Sequence, residues 1–159
     1  MAKRTLAHSA DKQQIVQRLQ KIQPNSQRRW GKMTVNEMLC HLADSFRVVI
    51  GEKTVGPLNE KLLPVHLPPP ILKWLALDCP VRWPKGVKTR SEVDPQREGT
   101  KPGDFASDLR ELRRLLERFT QKPRDFEWQP HPIFGLMRDE DWQRWGYLHM
   151  DHHLRQFGA

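Results

Sequence analysis

One line of residues near the C-terminal end constrains this chain more than any other feature. Trp142, Trp145, His149, His153 and Gln156 recur at helical spacing. Asp139, Glu140 and Asp141 precede them, where a helix N-terminus favours negative charge, so a helix is predicted from there almost to the C-terminus. Its inward stripe opens on two tryptophans and turns polar halfway along. An apolar stripe of this kind needs neighbouring elements to cover it. The histidine pair on the same stripe needs partners of its own, because burying an unsatisfied imidazole is unfavourable.

The rest of the chain supplies the neighbours. From Asp11, Ile15, Leu19 and Ile22 fall on one helical face until Pro24 interrupts it. Thr34-Val35-Asn36-Glu37 matches a capping box and opens a second helix reaching about Gly51, with Val35, Met38, Leu39, Leu42, Phe46 and Val49 as its stripe. A further helix follows Pro102-Gly103-Asp104, where Phe105, Leu109, Leu112, Leu116 and Phe119 alternate steps of four and three until Pro123 ends it. The stretch between Gly51 and Pro102 holds most of the 13 prolines and supports only short helices such as Ile71 to Leu77. Such a connection serves either as a lid or wall over a pocket or as a surface crossover. Four long helices with a proline-rich crossover between the second and third predict an all-α antiparallel four-helix bundle, a single domain over residues 1–159.

Composition narrows the classes of function. With 37% hydrophobic and 29% charged residues the chain reads as a soluble globular protein, and no apolar run approaches a membrane span. The opening Met1 to Ser9 is basic but lacks the apolar run of a secretory signal, which points to a cytoplasmic protein. Cys40 and Cys79 have no paired spacing and read as reduced packing residues. The net charge of +8 is scattered over Arg28-Arg29, Lys85 to Arg90 and Arg110 to Arg118, without a nucleic-acid-binding signature. There is no glycine-rich phosphate loop and no internal repeat.

His149 and His153, four positions apart on a helix, place two imidazoles on one face, the spacing that lets them share a metal ion. Two histidines satisfied by ordinary neighbours would show the same spacing. His41 lies on the second helix among Met38, Leu42 and Ser45, at the edge of the stripe, and reaches the last helix only if the two are neighbours. Asp44 stands one turn from His41 and Gln156 one turn from His153, positions from which each could orient a ligand or a bound water, or simply add polarity to its helix. His131, before Pro132, is a candidate for substrate contact or general acid–base catalysis; the alternative is a turn-forming role. Cys40 points about 100° away from His41 and is not expected to be a ligand.

Trp30-Gly31-Lys32-Met33-Thr34 leading to Met38-Leu39-Cys40-His41-Leu42, together with His149-Met150-Asp151-His152-His153-Leu154-Arg155-Gln156, resembles the DinB-like (YfiT-like) metalloenzyme superfamily. The segment His131-Pro132-Ile133-Phe134-Gly135 looks like an uncharacterised branch of it. The resemblance implies a four-helix bundle with His41, His149 and His153 as ligands of nickel, zinc or another divalent ion (iron, cobalt or manganese), and it excludes His152. Three imidazoles with an exchangeable fourth position suit a catalytic site. The resemblance further implies a thiol-dependent S-transferase acting on a small electrophile with a low-molecular-weight thiol, or a hydrolase, in a protein that often forms homodimers. A non-catalytic, stress-related metal-binding or dimerising bundle is the alternative.

Overall fold

The computed structural model describes residues 3–56 and 67–159. Residues 57–66, part of the proline-rich crossover, lie outside the described residues, and so does that part of the lid-or-crossover question. The described chain is all-helical: α1 (Ser9–Gln20), α2 (Val35–Val49), α3 (Pro69–Leu77), a 3-10 turn (Ser91–Val93), α4 (Phe105–Thr120) and α5 (Asp139–Gln156). No described helix is long and apolar enough to cross a membrane.

The helices begin where local chemistry satisfies their free amides. At α2 the Thr34 hydroxyl accepts from the Glu37 amide at 3.3 Å while the Glu37 carboxylate accepts from the Thr34 amide at 2.7 Å, the reciprocal pair the sequence predicts. At α4 the Asp104 carboxylate accepts from the Ser107 amide at 3.0 Å. At α5 Asp141 accepts from the Arg138 amide at 3.0 Å, and the acidic first turn meets the positive end of the helix dipole. Helix α1 starts two residues before the expected Asp11, because Lys12 already donates to the His8 carbonyl and the Asp11 carboxylate accepts from the Thr5 amide instead. Helix α3 starts on Pro69-Pro70, whose missing amide hydrogens are no loss in a first turn.

The most extensive pairing is α2 on α4; α1 and α3 both pack on α5, and the 3-10 turn lies on α2. Met38, Leu42, Phe46, Leu112, Leu116, Phe119 and Trp142 fill the core between them. Leu115, outside the expected stripe of α4, is fully buried as well, so this helix buries a wider face than the four-three alternation implied. Around Phe119 the rings of Phe46 (4.8 Å between centroids) and Trp128 (5.0 Å) close in, and Trp128 stacks on Trp142 at 5.5 Å. The aromatic half of the α5 stripe is thus satisfied by packing. The segment before α2 crosses the far end of α5, where the Arg29 amide donates to the Gln156 carbonyl at 2.7 Å. That crossing sets the floor beneath the polar half.

Candidate metal centre

Helices α2 and α5 bring three imidazoles together. The His41 ring centroid lies 5.1 Å from that of His149 and 4.7 Å from that of His153, and the two α5 rings are 5.0 Å apart. His41 Nε2 meets His149 Nε2 at 3.1 Å. One nitrogen from each of the three rings lies within 4.8 Å of the others, so the group could hold a metal ion. Tetrahedral bonds of about 2.0–2.1 Å would set the nitrogens about 3.3–3.4 Å apart, which the 3.1 Å pair already approaches. His41 and His149 are buried, and His153 is half-buried.

Hydrogen bonds on the far side of two rings decide which nitrogen faces inward. His41 Nδ1 donates to the Val93 carbonyl at 2.8 Å. His153 Nδ1 donates to Gln156 Oε1 at 3.0 Å, and Gln156 is itself oriented because its Nε2 donates to the Trp30 carbonyl at 2.8 Å. Since each Nδ1 carries the proton of a neutral ring, each Nε2 presents a bare lone pair to the centre. Two neutral rings meeting Nε2 to Nε2 need a proton or a cation between them. With His41 Nε2 bare, the proton must sit on His149 or be replaced by an ion. His149 Nδ1 is buried with no hydrogen-bond partner.

The surroundings keep the rings neutral. Burial is the leading cause that lowers the pKa of His41, and of His149 and His153 well below the ordinary histidine value; mutual repulsion among the rings adds to it at the two α5 positions. Neutral imidazole is the form that binds a metal. Trp145 lies against His149 with centroids 4.9 Å apart, and Trp83, from the loop after α3, covers it at 5.9 Å while its indole nitrogen donates to the Ala76 carbonyl.

Gln156 therefore stands where the sequence suggested, beside His153. Gly31 makes room for it: its φ of +80° is a glycine conformation, and a Cβ there would run into Gln156 Nε2. Gln156→Ala is expected to weaken zinc binding about 10–100-fold without unfolding the protein. Gly31→Ala should shift affinity in the same direction. Chelator competition read by a zinc-sensitive dye measures both.

Asp44 is elsewhere. Fully buried, it accepts from Lys53 Nζ at 2.5 Å, from Arg47 at 2.9 Å, and from the Thr100 amide and hydroxyl at 2.7 and 2.8 Å, with no hydrogen bond to a site histidine. It ties α2 to the loop that carries the 3-10 turn and its Val93 carbonyl.

His131 also lies outside the three-ring group. Its Nδ1 accepts from the Ile133 and Phe134 amides at 3.1 and 3.2 Å, and its ring stacks on Phe134 at 4.2 Å. These contacts match the turn-forming alternative. Burial, helped by the Arg90 charge, pushes its pKa down to about 3 from 6.5. Because the unfolded chain binds this proton more tightly, His131 contributes stability that is present above pH 6.5 and lost as pH falls towards about 3. Urea midpoints measured between pH 7 and pH 4 should accordingly fall less steeply for His131→Asn than for the native chain.

Three contributors carry no signal readable in the sequence: the Val93 and Trp30 carbonyls, which any residue could provide, and Trp83, from the proline-rich stretch. His152 sits outside the group, its ring between Trp30 (6.1 Å) and Trp83 (6.2 Å). Cys40 is a buried thiol whose pKa burial pushes up to about 12, which suits a packing residue.

A family model described as "Protein of unknown function (DUF1569)" matches residues 1–159. No curated protein and no solved structure matches the chain.

Proposed function

We propose that this chain, which belongs to the DUF1569 family of proteins of unknown function, is a metal-dependent enzyme in which His41, His149 and His153 hold one divalent ion. Three imidazole donors suit zinc, nickel, iron and cobalt alike; the family resemblance puts nickel and zinc first, with iron, cobalt or manganese as other candidates. The observation that carries the reading is the pair of outer hydrogen bonds, His41 to Val93 and His153 to Gln156, which turn two Nε2 lone pairs inward towards a third ring. Buried histidines serving only as packing would also need such partners, but they would not need one nitrogen from each of three rings to converge within 4.8 Å of the others.

An ion held by three imidazoles supplies an open position at which a water or thiol is activated and a carbonyl polarised. The residues around it do the rest. Val93 and Gln156 fix the ring orientations, burial keeps the donors unprotonated, and Trp83 and Trp145 keep bulk water from the His149 side. Of the reactions open to such a site we favour transfer of a low-molecular-weight thiol to a small electrophile, with hydrolysis as the variant that uses water. We also place the chain in the DinB-like superfamily, with its four longest helices as that family's antiparallel bundle. Support comes from the pairing of α2 with α4 and α1 with α5, and from histidines on the second and last of those helices.

A second reading, in which the ion only stabilises the fold, draws on one observation: it would tie α2 to α5, a helix pair with sparse contacts of its own. Cobalt substitution separates the two. The enzyme reading expects visible cobalt bands that change when glutathione is titrated in. Bands indifferent to thiol, together with a melting temperature raised by metal, would favour the stabilising role.

A further inference from the structure

Beside the histidines, on the next face of α5, lies a small cleft lined by Arg82, Trp83, Arg144, Leu148, Asp151 and Arg155, among others. Its charge is unbalanced: its lining includes three arginines and one aspartate. That carboxylate is already engaged twice, by Arg155 Nε at 2.8 Å and by Arg18 at 2.7 Å. Arg144 has no carboxylate partner among the described residues. It donates to the Leu77 carbonyl at 3.0 Å and to the Arg4 carbonyl at 2.8 Å, which fix its direction without neutralising it. The nearby acid Asp78 is taken by Lys3 at 2.5 Å. Arg82 is exposed and forms no ion pair among the described residues.

A half-buried guanidinium held by backbone carbonyls, with two more arginines lining the same cleft, leaves positive charge uncompensated there. Burial lowers the Arg144 pKa, the reverse of what an ion pair produces. Guanidiniums match the planar and tetrahedral oxyanions, carboxylate and phosphate. The cleft also has a fixed relation to the histidines. Trp83 forms part of its wall, and the same indole lies 5.9 Å from the His149 ring. An anion on the arginines is thus one indole away from the candidate metal centre.

We propose that the cleft formed by Arg82, Arg144 and Arg155 beside Trp83 binds a small oxyanion, a carboxylate or phosphate group. Resting on the enzyme reading above, this group is the anionic end of the molecule that meets the ion at its other end. The substrate class is then a short anionic molecule rather than a neutral electrophile.

Isothermal titration at low ionic strength, with inorganic phosphate and separately with succinate, tests the inference on the native protein, Arg82→Gln, Arg155→Gln and His149→Ala. Saturable binding of at least one probe is expected, weakened about tenfold in each arginine variant, the size of one lost charge-assisted hydrogen bond. It should survive in His149→Ala. A preference for phosphate or for succinate assigns the group. Absence of binding by both probes, binding by both arginine variants as tight as by the native protein, or loss confined to His149→Ala would overturn the inference, the last by putting the anion on the metal. Anion binding in a native protein shown by elemental analysis to take up no metal would leave the cleft standing and remove the metal reading instead.

Discussion

Replacing His149 with alanine is expected to abolish stoichiometric metal binding while α5 stays folded. His149 lies against both other rings of the group, His41 and His153, and is backed by Trp145. Its loss leaves two donors on different helices, with nothing to replace the third. Removing only a partner that orients a ligand costs about 10–100-fold in affinity, so losing the ligand itself should cost well over 100-fold. The helix does not depend on it. Trp142, Met150 and Leu154 are fully buried and anchor α5 on both sides of the substitution, and alanine is the best helix former. Elemental analysis beside far-ultraviolet circular dichroism reads both halves. Undiminished metal in His149→Ala, and again in the His149/His153 double variant, would remove the assignment.

Asp44→Ala is expected to destabilise the fold strongly, by about 3 kcal/mol, the lower end of the cost of removing one partner of a buried ion pair. The carboxylate is wholly buried, and its removal leaves Lys53 and the Thr100 amide without this acceptor and Arg47 with Glu111 as its remaining carboxylate. Burial alone would raise the Asp44 pKa, but hydrogen bonds from Lys53, Thr100 and Arg47 outweigh it and hold the carboxyl below its ordinary value of 3.8. The sign follows: this stability is present above pH 3.8 and is lost as pH falls through the lower folded-state value. Urea unfolding at pH 7 should show the full loss in the variant, and the gap from the native chain should shrink below pH 3.8. The variant should also bind zinc more weakly, because Asp44 pins the loop whose Val93 carbonyl orients His41.

Those two residues mark how far the sequence could be read. Helices α2, α4 and α5 were legible because their stripes and caps are local: Thr34 and Glu37 cap α2 as their spacing predicts, and Asp104 caps α4. His149 and His153 were legible for the same reason, since four positions on one helix fix a shared face. His41 was less so. It lies at the edge of its stripe, and it is buried because the 3-10 turn, on the same loop as Asp44's partner Thr100, covers that edge. Nothing in the composition of Ser91–Val93 announces this. Helical periodicity tells which face of a helix turns inward, not which loop lies on it. Asp44 shows the same limit, because spacing put it one turn from His41 while its partners came from Lys53 and Thr100. His131 was ambiguous until the Ile133 and Phe134 amides were seen to converge on its Nδ1. The arginine cleft was illegible for a related reason: Arg144 and Arg155 lie on α5 itself, but Arg82 joins them only where the loop after α3 meets that helix.

The central claim is that three histidines form one metal site. Elemental analysis of the full chain, purified without a histidine tag and dialysed against zinc, nickel or cobalt, tests it most directly. The account expects one ion per chain, displaced by acid as the imidazoles protonate and absent from His149→Ala. A native chain that takes up no divalent ion under any of these conditions would contradict it.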